Sequence, residues 1–240
     1  MNDIPFQEDL AACGEVPDRT CTVRPVGTCA DRNKPLTDDP LRTANANDVH
    51  RLKATLAEAF YDDPIFGWLM PDEQSRLARL RRFFAIQLRH VALTQGRVWT
   101  TSDLSGAALS MPPGAWRVPP RAALAQGASF GIRLPQATRL LAAIESRHLR
   151  EPHYYFADIG VLPAAQGKGL GSALMRPTLD RCDREGVPAY LEASSERSAA
   201  LYERLGFRLI EELRVGASPS LWLMLRPVSP PTDTPVIPGS

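Results

Sequence analysis

The sequence predicts an α/β fold, a mixed sheet covered by helices on both faces, in one domain spanning residues 41 to 226. Three observations lead there. Arg97 to Thr101 and Leu104 to Ser110 read as strands around Ser102-Asp103, a hairpin. Later strand-like runs, Tyr154 to Val161 and Ala189 to Ala193, alternate with helical stretches, the pattern of a parallel crossover. The two ends, 1–40 and 227–240, hold ten of the 22 prolines and few large apolar residues, so neither buries enough surface to offset its ordering entropy.

Taken in order, Leu41-Arg42-Thr43 is a short strand. Asn47-Asp48 then caps an amphipathic helix with Val49, Leu52, Leu56 and Phe60 on its inner face. Tyr61-Asp62-Asp63-Pro64 ends it. A second helix runs from about Asp72 to Thr94 on the stripe Leu77, Leu80, Phe83, Phe84, Leu88 and Val91, stopped by Gln95-Gly96. After the hairpin, Met111 to Pro120 carries four prolines and a glycine and reads as a loop. A helix from about Pro135 to Arg150 follows, with Leu140, Leu141 and Ile144 inward. Beyond Val161, Gly169 to Glu185 and Arg197 to Leu205 are helical, and Phe207 to Val215 and Leu221 to Arg226 close the domain as strands.

The formal charge of +1, from 28 basic and 27 acidic residues, conceals a division. Residues 1–40 hold 4 basic and 8 acidic side chains, and 227–240 one acidic, which leaves 24 against 18 between 41 and 226, or +6. Within that span 76–150 is basic and 41–75 acidic, which suits an anionic ligand in one place and a cationic one in another; solvated helix faces would read the same way. No run approaches the roughly 18 apolar residues of a membrane span, and the first residues lack a signal-peptide pattern, so a cytoplasmic protein without a membrane partner is expected. Cys13, Cys21 and Cys29 lack the close pairing of a zinc site, Cys182 reads as a core thiol, and no metal is expected. His50, His90, His148 and His153 lack metal spacing and read as surface or capped residues.

The chemistry-bearing run is Gln166-Gly167-Lys168-Gly169-Leu170-Gly171-Ser172, which follows a strand and opens a helix. Amides at a helix N-terminus lack intrahelical partners and sit at the positive end of the dipole, so an unobstructed glycine turn there makes an anion cradle. A Walker A loop is excluded by Leu162 and Gly169, and the dinucleotide fingerprint fails at Ser172. A tight turn without function remains the alternative for the turn alone. About thirty residues later comes Leu201-Tyr202-Glu203-Arg204-Leu205-Gly206-Phe207.

Together these runs resemble the GNAT superfamily of N-acetyltransferases. Glu151 to Val161, Gln166 to Leu174, Gly186 to Glu192 and Tyr202 to Phe207 are similar, more closely, to the puromycin N-acetyltransferase group. The resemblance implies a mostly antiparallel sheet with a central parallel strand pair that splays apart, and acetyl-CoA as cosubstrate in the splay. It places the cofactor on the backbone of Ile159, Gly160 and Val161 and its pyrophosphate on the amides from Gln166 through Gly167, Lys168, Gly169, Leu170 and Gly171 to Ser172. Lys168 is there either a charge partner or a solvated side chain.

The resemblance also gives Tyr202 as the acid that protonates the departing thiolate. It leaves Glu192, Asp158 or a water as the base. Many relatives carry Asn seven residues before that tyrosine; this chain has Ser195, which still donates and accepts. The acceptor side falls on Tyr61, Asp62, Asp63 and Phe66, aromatic rings beside carboxylates that suit a cationic amine with an aromatic body. An acetyltransferase acting on a small primary amine, puromycin-like or another antibiotic or aminoacyl amine, is expected, as monomer or homodimer and without nucleic acid. Acetylation of protein amines, or a non-catalytic acyl-CoA sensor, are the alternatives.

Overall fold

The computed structural model describes residues 41–228. The leading segment with Cys13, Cys21 and Cys29, and the tail from residue 229, lie outside the described residues.

Seven strands build one sheet: β1 (Leu41–Thr43), β2 (Arg97–Thr101), β3 (Gly106–Met111), β4 (Tyr154–Val161), β5 (Ala189–Ala193), β6 (Arg208–Leu213) and β7 (Leu221–Arg226). Their order is β1-β2-β3-β4-β5-β7-β6, antiparallel throughout except between β4 and β5. The expected mixed sheet is therefore present, with its parallel pair central. Helices cover both faces. Against one lie α1 (Val49–Ala59), α2 (Pro64–Leu69), α3 (Glu73–Gln87), α5 (Pro120–Gly127) and α6 (Leu134–Arg147), and against the other α7 (Leu170–Glu185) and α8 (Glu196–Arg204). Between α3 and β2 the chain makes a π turn, Leu88–Ala92, and a last turn, α4 (Leu93–Gln95).

Local chemistry explains the helix starts. The cap ahead of α1 is Asn45 rather than Asn47-Asp48: its side chain accepts from the Asn47 amide at 2.9 Å, and Asp48 accepts from the Asn45 amide at 2.8 Å. Arg42 of β1 then grips both Asp48 oxygens at 2.8 Å, tying the sheet edge to the helix. Val49, Leu52 and Leu56 are buried as the helical stripe requires, and so are Leu80, Phe84, Leu88 and Val91. Cys182 is buried on α7, and burial pushes its thiol up to about 12, consistent with a packed core residue.

Three readings need correction. Helices α2 and α5 were not expected; six and eight residues with a proline at the first turn give too little periodicity to register as helices. Helix α6 ends at Arg147, and Leu141, expected inward, is 52% exposed because Leu140 takes the buried position. Strand β3 starts at Gly106, since Leu104 adopts φ 62° inside the hairpin turn.

The geometry that matters most lies between β4 and β5. They share only three register pairs, Tyr154 with Ala189, Tyr155 with Tyr190 and Phe156 with Leu191. Thereafter β5 stays with β7 to the Ala193–Trp222 pair, while β4 stays with β3 to Val161–Gly106, so the two strands part. On the β3 side Leu109 faces Asp158 but Ser110 faces Phe156, which makes Ala157 a bulge. The extra residue resets the alternation, so Tyr155 and Asp158 share the face of α1 and α3, whereas Phe156 and Ile159 meet the α7 and α8 side.

Gly96 closes the last helical turn against the Ser110 carbonyl, where an added Cβ would collide with backbone that cannot give way. Gly96→Ala should cost about 1–3 kcal/mol, read as a Tm lowered by several degrees in thermal unfolding; an unchanged Tm would contradict this packing.

Candidate active site

The glycine turn is built as an anion cradle requires. Gly167 and Gly169 adopt φ 78° and 79°, a region that side chains with a Cβ rarely occupy, and nothing stands within 4 Å of where a Cβ on Gly167 would be. The first bond of α7 runs from the Ala173 amide to the Gly169 carbonyl at 3.0 Å. The amides of Leu170, Gly171 and Ser172 thus precede the helical ladder at the positive end of a 16-residue helix. Gln166 braces the turn by donating to the Val161 carbonyl at 3.0 Å, and Lys168 is exposed beside it. Gly171 packs toward α8, its would-be Cβ 3.3 Å from Leu201.

The turn follows the part of β4 that has left β5. Ile159, Gly160 and Val161 keep β3 as their partner on one side and, among the described residues, have no strand on the other. Gly160 has its own constraint, since a Cβ there would come within 2.8 Å of Leu56 and 3.0 Å of Phe60. A polar chain with alternating donors and acceptors could pair with that free edge.

Tyr202 of α8 and three carboxylates come together by the splay. Tyr202 is 6% exposed, and burial, with the charges of Asp63 and Asp158, raises its phenol well above its ordinary value. Asp158, 9% exposed on β4, is pushed up to about 7, first by burial, with Asp63 and Glu192 adding to the rise. Gln87 opposes that shift by donating to Asp158 Oδ2 at 2.9 Å, and is itself held by the Gln126 amide at 2.7 Å. Gln87 is the last residue of α3 before the π turn, so the helix is interrupted beside the Asp158 carboxyl.

Asp63 caps α2, accepting the Ile65 and Phe66 amides at 2.9 and 3.0 Å on Oδ1, while Oδ2 accepts the Ser194 hydroxyl from beyond β5. Burial raises its carboxyl despite those donors. Glu192 accepts the Tyr155 hydroxyl on Oε2 at 2.9 Å, and its Oε1 lies 3.7 Å from His148 Nδ1.

Of the expected acceptor residues, the structure brings Asp63 to this group. Asp62 is exposed, Tyr61 lies by the first turn of α3 under the Arg76 guanidinium at 5.1 Å, and Phe66 sits in a ring cluster 5.2–5.7 Å from Phe83 and Phe84. Ser195 caps α8 through a reciprocal pair with Ser198 at 3.2 Å, so it is its neighbour Ser194 that turns toward Asp63. His148 and His153 are buried side by side, not on the surface, while His50 and His90 are exposed. No local signal marks Gln87, Tyr155 or Ser194, and His148 and His153 read only as surface or capped residues, because most of their partners lie 37 or more residues away. Among the described residues no group of three or more His, Cys, Asp or Glu is placed to hold a metal.

The acetyltransferase (GNAT) family model matches residues 108–207, from β3 through the end of α8. An uncharacterised N-acetyltransferase of Schizosaccharomyces pombe is 29% identical over 184 residues, 69% of this chain and 73% of that protein. Mycothiol acetyltransferase of Renibacterium salmoninarum is 40% identical over 52 residues, 20% of this chain and 15% of that one. A solved Corynebacterium glutamicum protein, described as histone acetyltransferase HPA2 and related acetyltransferase, superposes with a TM-score of 0.62 at 28% identity, covering 81% of this chain and 98% of that one. Polyamine N-acetyltransferase of Drosophila melanogaster shares the fold with a TM-score of 0.52 at 18% identity, covering 78% of this chain and 99% of that one. The family-model match over residues 108–207, the N-acetyltransferase relatives and the Corynebacterium glutamicum structure together support an acyltransferase.

Proposed function

We propose that this chain transfers the acetyl group of acetyl-CoA to the primary amine of a small molecule by direct attack with both substrates bound. The observation that carries the reading is the convergence, where β4 and β5 part, of a free strand edge, the Tyr202 phenol and the buried Asp158 carboxyl. The pantetheine arm pairs with Ile159 to Val161, and the pyrophosphate rests on the amides opening α7. The thioester supplies the acetyl carbonyl; a strand amide polarises it. Asp158, poised near neutrality, takes the proton of the attacking nitrogen, a role Glu192 can share, and Tyr202 returns one to the thiolate. A phenol held above its ordinary range is protonated at pH 7 and so able to act as an acid.

The acceptor is small and cationic. Asp63, Asp158 and Glu192 concentrate negative charge in a buried space; burial first and then repulsion from Asp63 and Glu192 raise the Asp158 carboxyl, and an ammonium relieves the repulsion. The likeness of residues 151–161 and 186–192 to the puromycin group supports an antibiotic or aminoacyl amine within that class.

Mixing the protein with acetyl-CoA and a panel of such amines should release free thiol; binding of acetyl-CoA with a silent panel would sink the small-molecule reading. Tyr202→Phe should lower kcat by about 10²–10⁴ while acetyl-CoA still binds; unchanged turnover would remove the tyrosine from the chemistry.

Asp158 also makes a prediction about stability that does not depend on turnover. The folded carboxyl holds its proton to about 7 and the unfolded one releases it near 4, so the folded state loses stability as pH rises between these values. Asp158→Asn lacks that loss. Its Tm should exceed that of the wild type at pH 8 by several degrees more than at pH 5; a pH-independent difference would show that Asp158 is not held up.

A further inference from the structure

Beside Glu192 lies a pair of imidazoles that the acetyl-transfer scheme does not use. His148 is stacked on Trp116 at 3.8 Å and faced edge-on by Tyr155 and Tyr190 at 5.0 and 4.9 Å; its side chain is 2% exposed and that of Glu192 8%. The hydrogen bonds fix where the protons sit. His153 Nδ1 lies 2.7 Å from the Glu151 carbonyl, which only accepts, so Nδ1 carries the proton and His153 Nε2 presents a lone pair. His148 Nε2, 3.0 Å away, must therefore donate, which leaves His148 Nδ1 bare. That bare nitrogen faces Glu192 Oε1 at 3.7 Å, and both atoms are buried without a hydrogen-bond partner. Two acceptors pointed at each other in a dry site are one proton short.

Resting on the acetyl-transfer reading, we propose that His148 and Glu192 share one proton and form the station that deprotonates the acceptor ammonium, with His148 and His153 as positioning residues for Glu192. The balance is one ammonium plus acetyl-CoA giving one acetamide, one CoA thiol and one proton. The N–C bond forms, the C–S bond breaks, Tyr202 supplies the thiol hydrogen, Asp158 takes the proton the nitrogen loses on attack and returns it to Tyr202, and the proton the ammonium loses before attack bridges His148 Nδ1 and Glu192 Oε1.

The surroundings favour that place. Burial pushes the Tyr155 phenol up, with Glu192 adding to the rise, and likewise that of Tyr190, so neither competes as a proton acceptor. Burial pushes the His153 imidazole down, against the Glu151 and Glu192 charges, which keeps it neutral and its lone pair available. Asp63 and Asp158 lie on the cleft side, Glu211 bears on Tyr190, and the Arg117 guanidinium is held over Trp116 at 4.4 Å. His153 lines a cavity of about 330 Å³ with Trp116, Arg117, Arg150 and Glu151, ahead of β4, where water can take the stored proton.

The test uses the full chain labelled with nitrogen-15 in histidine, and follows the ring nitrogens of His148 by NMR from pH 5 to 9 in the wild type and in Glu192→Gln, which keeps the Tyr155 contact. Proton uptake at His148 Nδ1 should depend on the Glu192 carboxylate 3.7 Å away and so differ between the two proteins. Equal titration in the two proteins would overturn the proposal. With an accepted amine, His148→Gln should lower kcat at least tenfold, leave the amine KM within twofold and shift the acid limb of the pH profile. An unmoved profile in a folded His148→Gln also counts against it. Should His148→Gln not fold, the Glu192→Gln titration decides. Coupled titration in a wild type that acetylates no amine would leave the shared proton standing and remove the acetyl-transfer reading instead.

Discussion

The fold depends on a strand pair that stops pairing. Three parallel register positions hold β4 to β5, and then each strand follows its antiparallel neighbour on the other side. Backbone amides deep in a sheet are obliged to find partners, so a free edge inside a folded domain selects for a ligand that presents its own amides in alternation. The bulge at Ala157 works with that separation. It lets β4 bend while staying on β3, and it moves Asp158 onto the face where Tyr155 already points. Without the extra residue the alternation would send Asp158 toward α7, away from Gln87 and Asp63, and the free edge would lose that carboxylate.

The same place is electrostatically unfavourable for the apoprotein. Asp63, Asp158 and Glu192 are drawn from the cap of α2, from β4 and from β5, and each is given a neutral donor: Ser194, Gln87 and Tyr155 respectively. Neutral donors mitigate the desolvation of a carboxylate but do not cancel it, which is why Asp63 and Asp158 both remain raised. Apolar residues of similar volume in place of buried charges are often neutral or stabilising. Charge that is kept buried against that gradient, next to a strand edge and a helix N-terminus, is arranged for something other than folding.

What the sequence made legible follows from the range of each interaction. The glycine turn at 166–172, the stripes of α1 and α3, and the strand runs β2, β4, β5 and β7 are decided within a few residues and are read close to their observed bounds, whereas the cap of α1 lies two residues earlier, at Asn45. The bulge leaves no local mark, because Ala157 is an unexceptional residue in an unbroken β-rich run. The Gln87–Asp158 and His148–Glu192 approaches join residues 71 and 44 positions apart and depend on how α3 and α6 lie across the sheet. Position 195 shows how fine the limit is: Ser195 and Ser194 are identical in type, and only the backbone turn into α8 determines that Ser195 caps the helix and Ser194 meets Asp63.

Charge segregation along the chain takes on a sharper meaning through these contacts. The acidic stretch 41–75 supplies Asp63 to the cleft, while Asp48 and Glu58 face Arg42 and Arg81 and Glu73 lies by Arg76, so little of that acidity is left as a diffuse field. The basic stretch is similarly occupied: Arg76 donates to the Met70 and Pro71 carbonyls, and Arg147 pairs with Glu211. In the proposed reading the anion site rests on backbone amides at the start of α7 rather than on a cluster of arginines, and the cation site lies beside three carboxylates rather than on a surface patch. Both are short-ranged, both are fixed to rigid elements flanking one splay, and their separation is set by the length of β4 beyond Phe156. The proposed donor, with its anionic end, and acceptor, with its cationic end, would thereby align along one strand beside Tyr202, whose buried phenol feels the Asp63 and Asp158 charges.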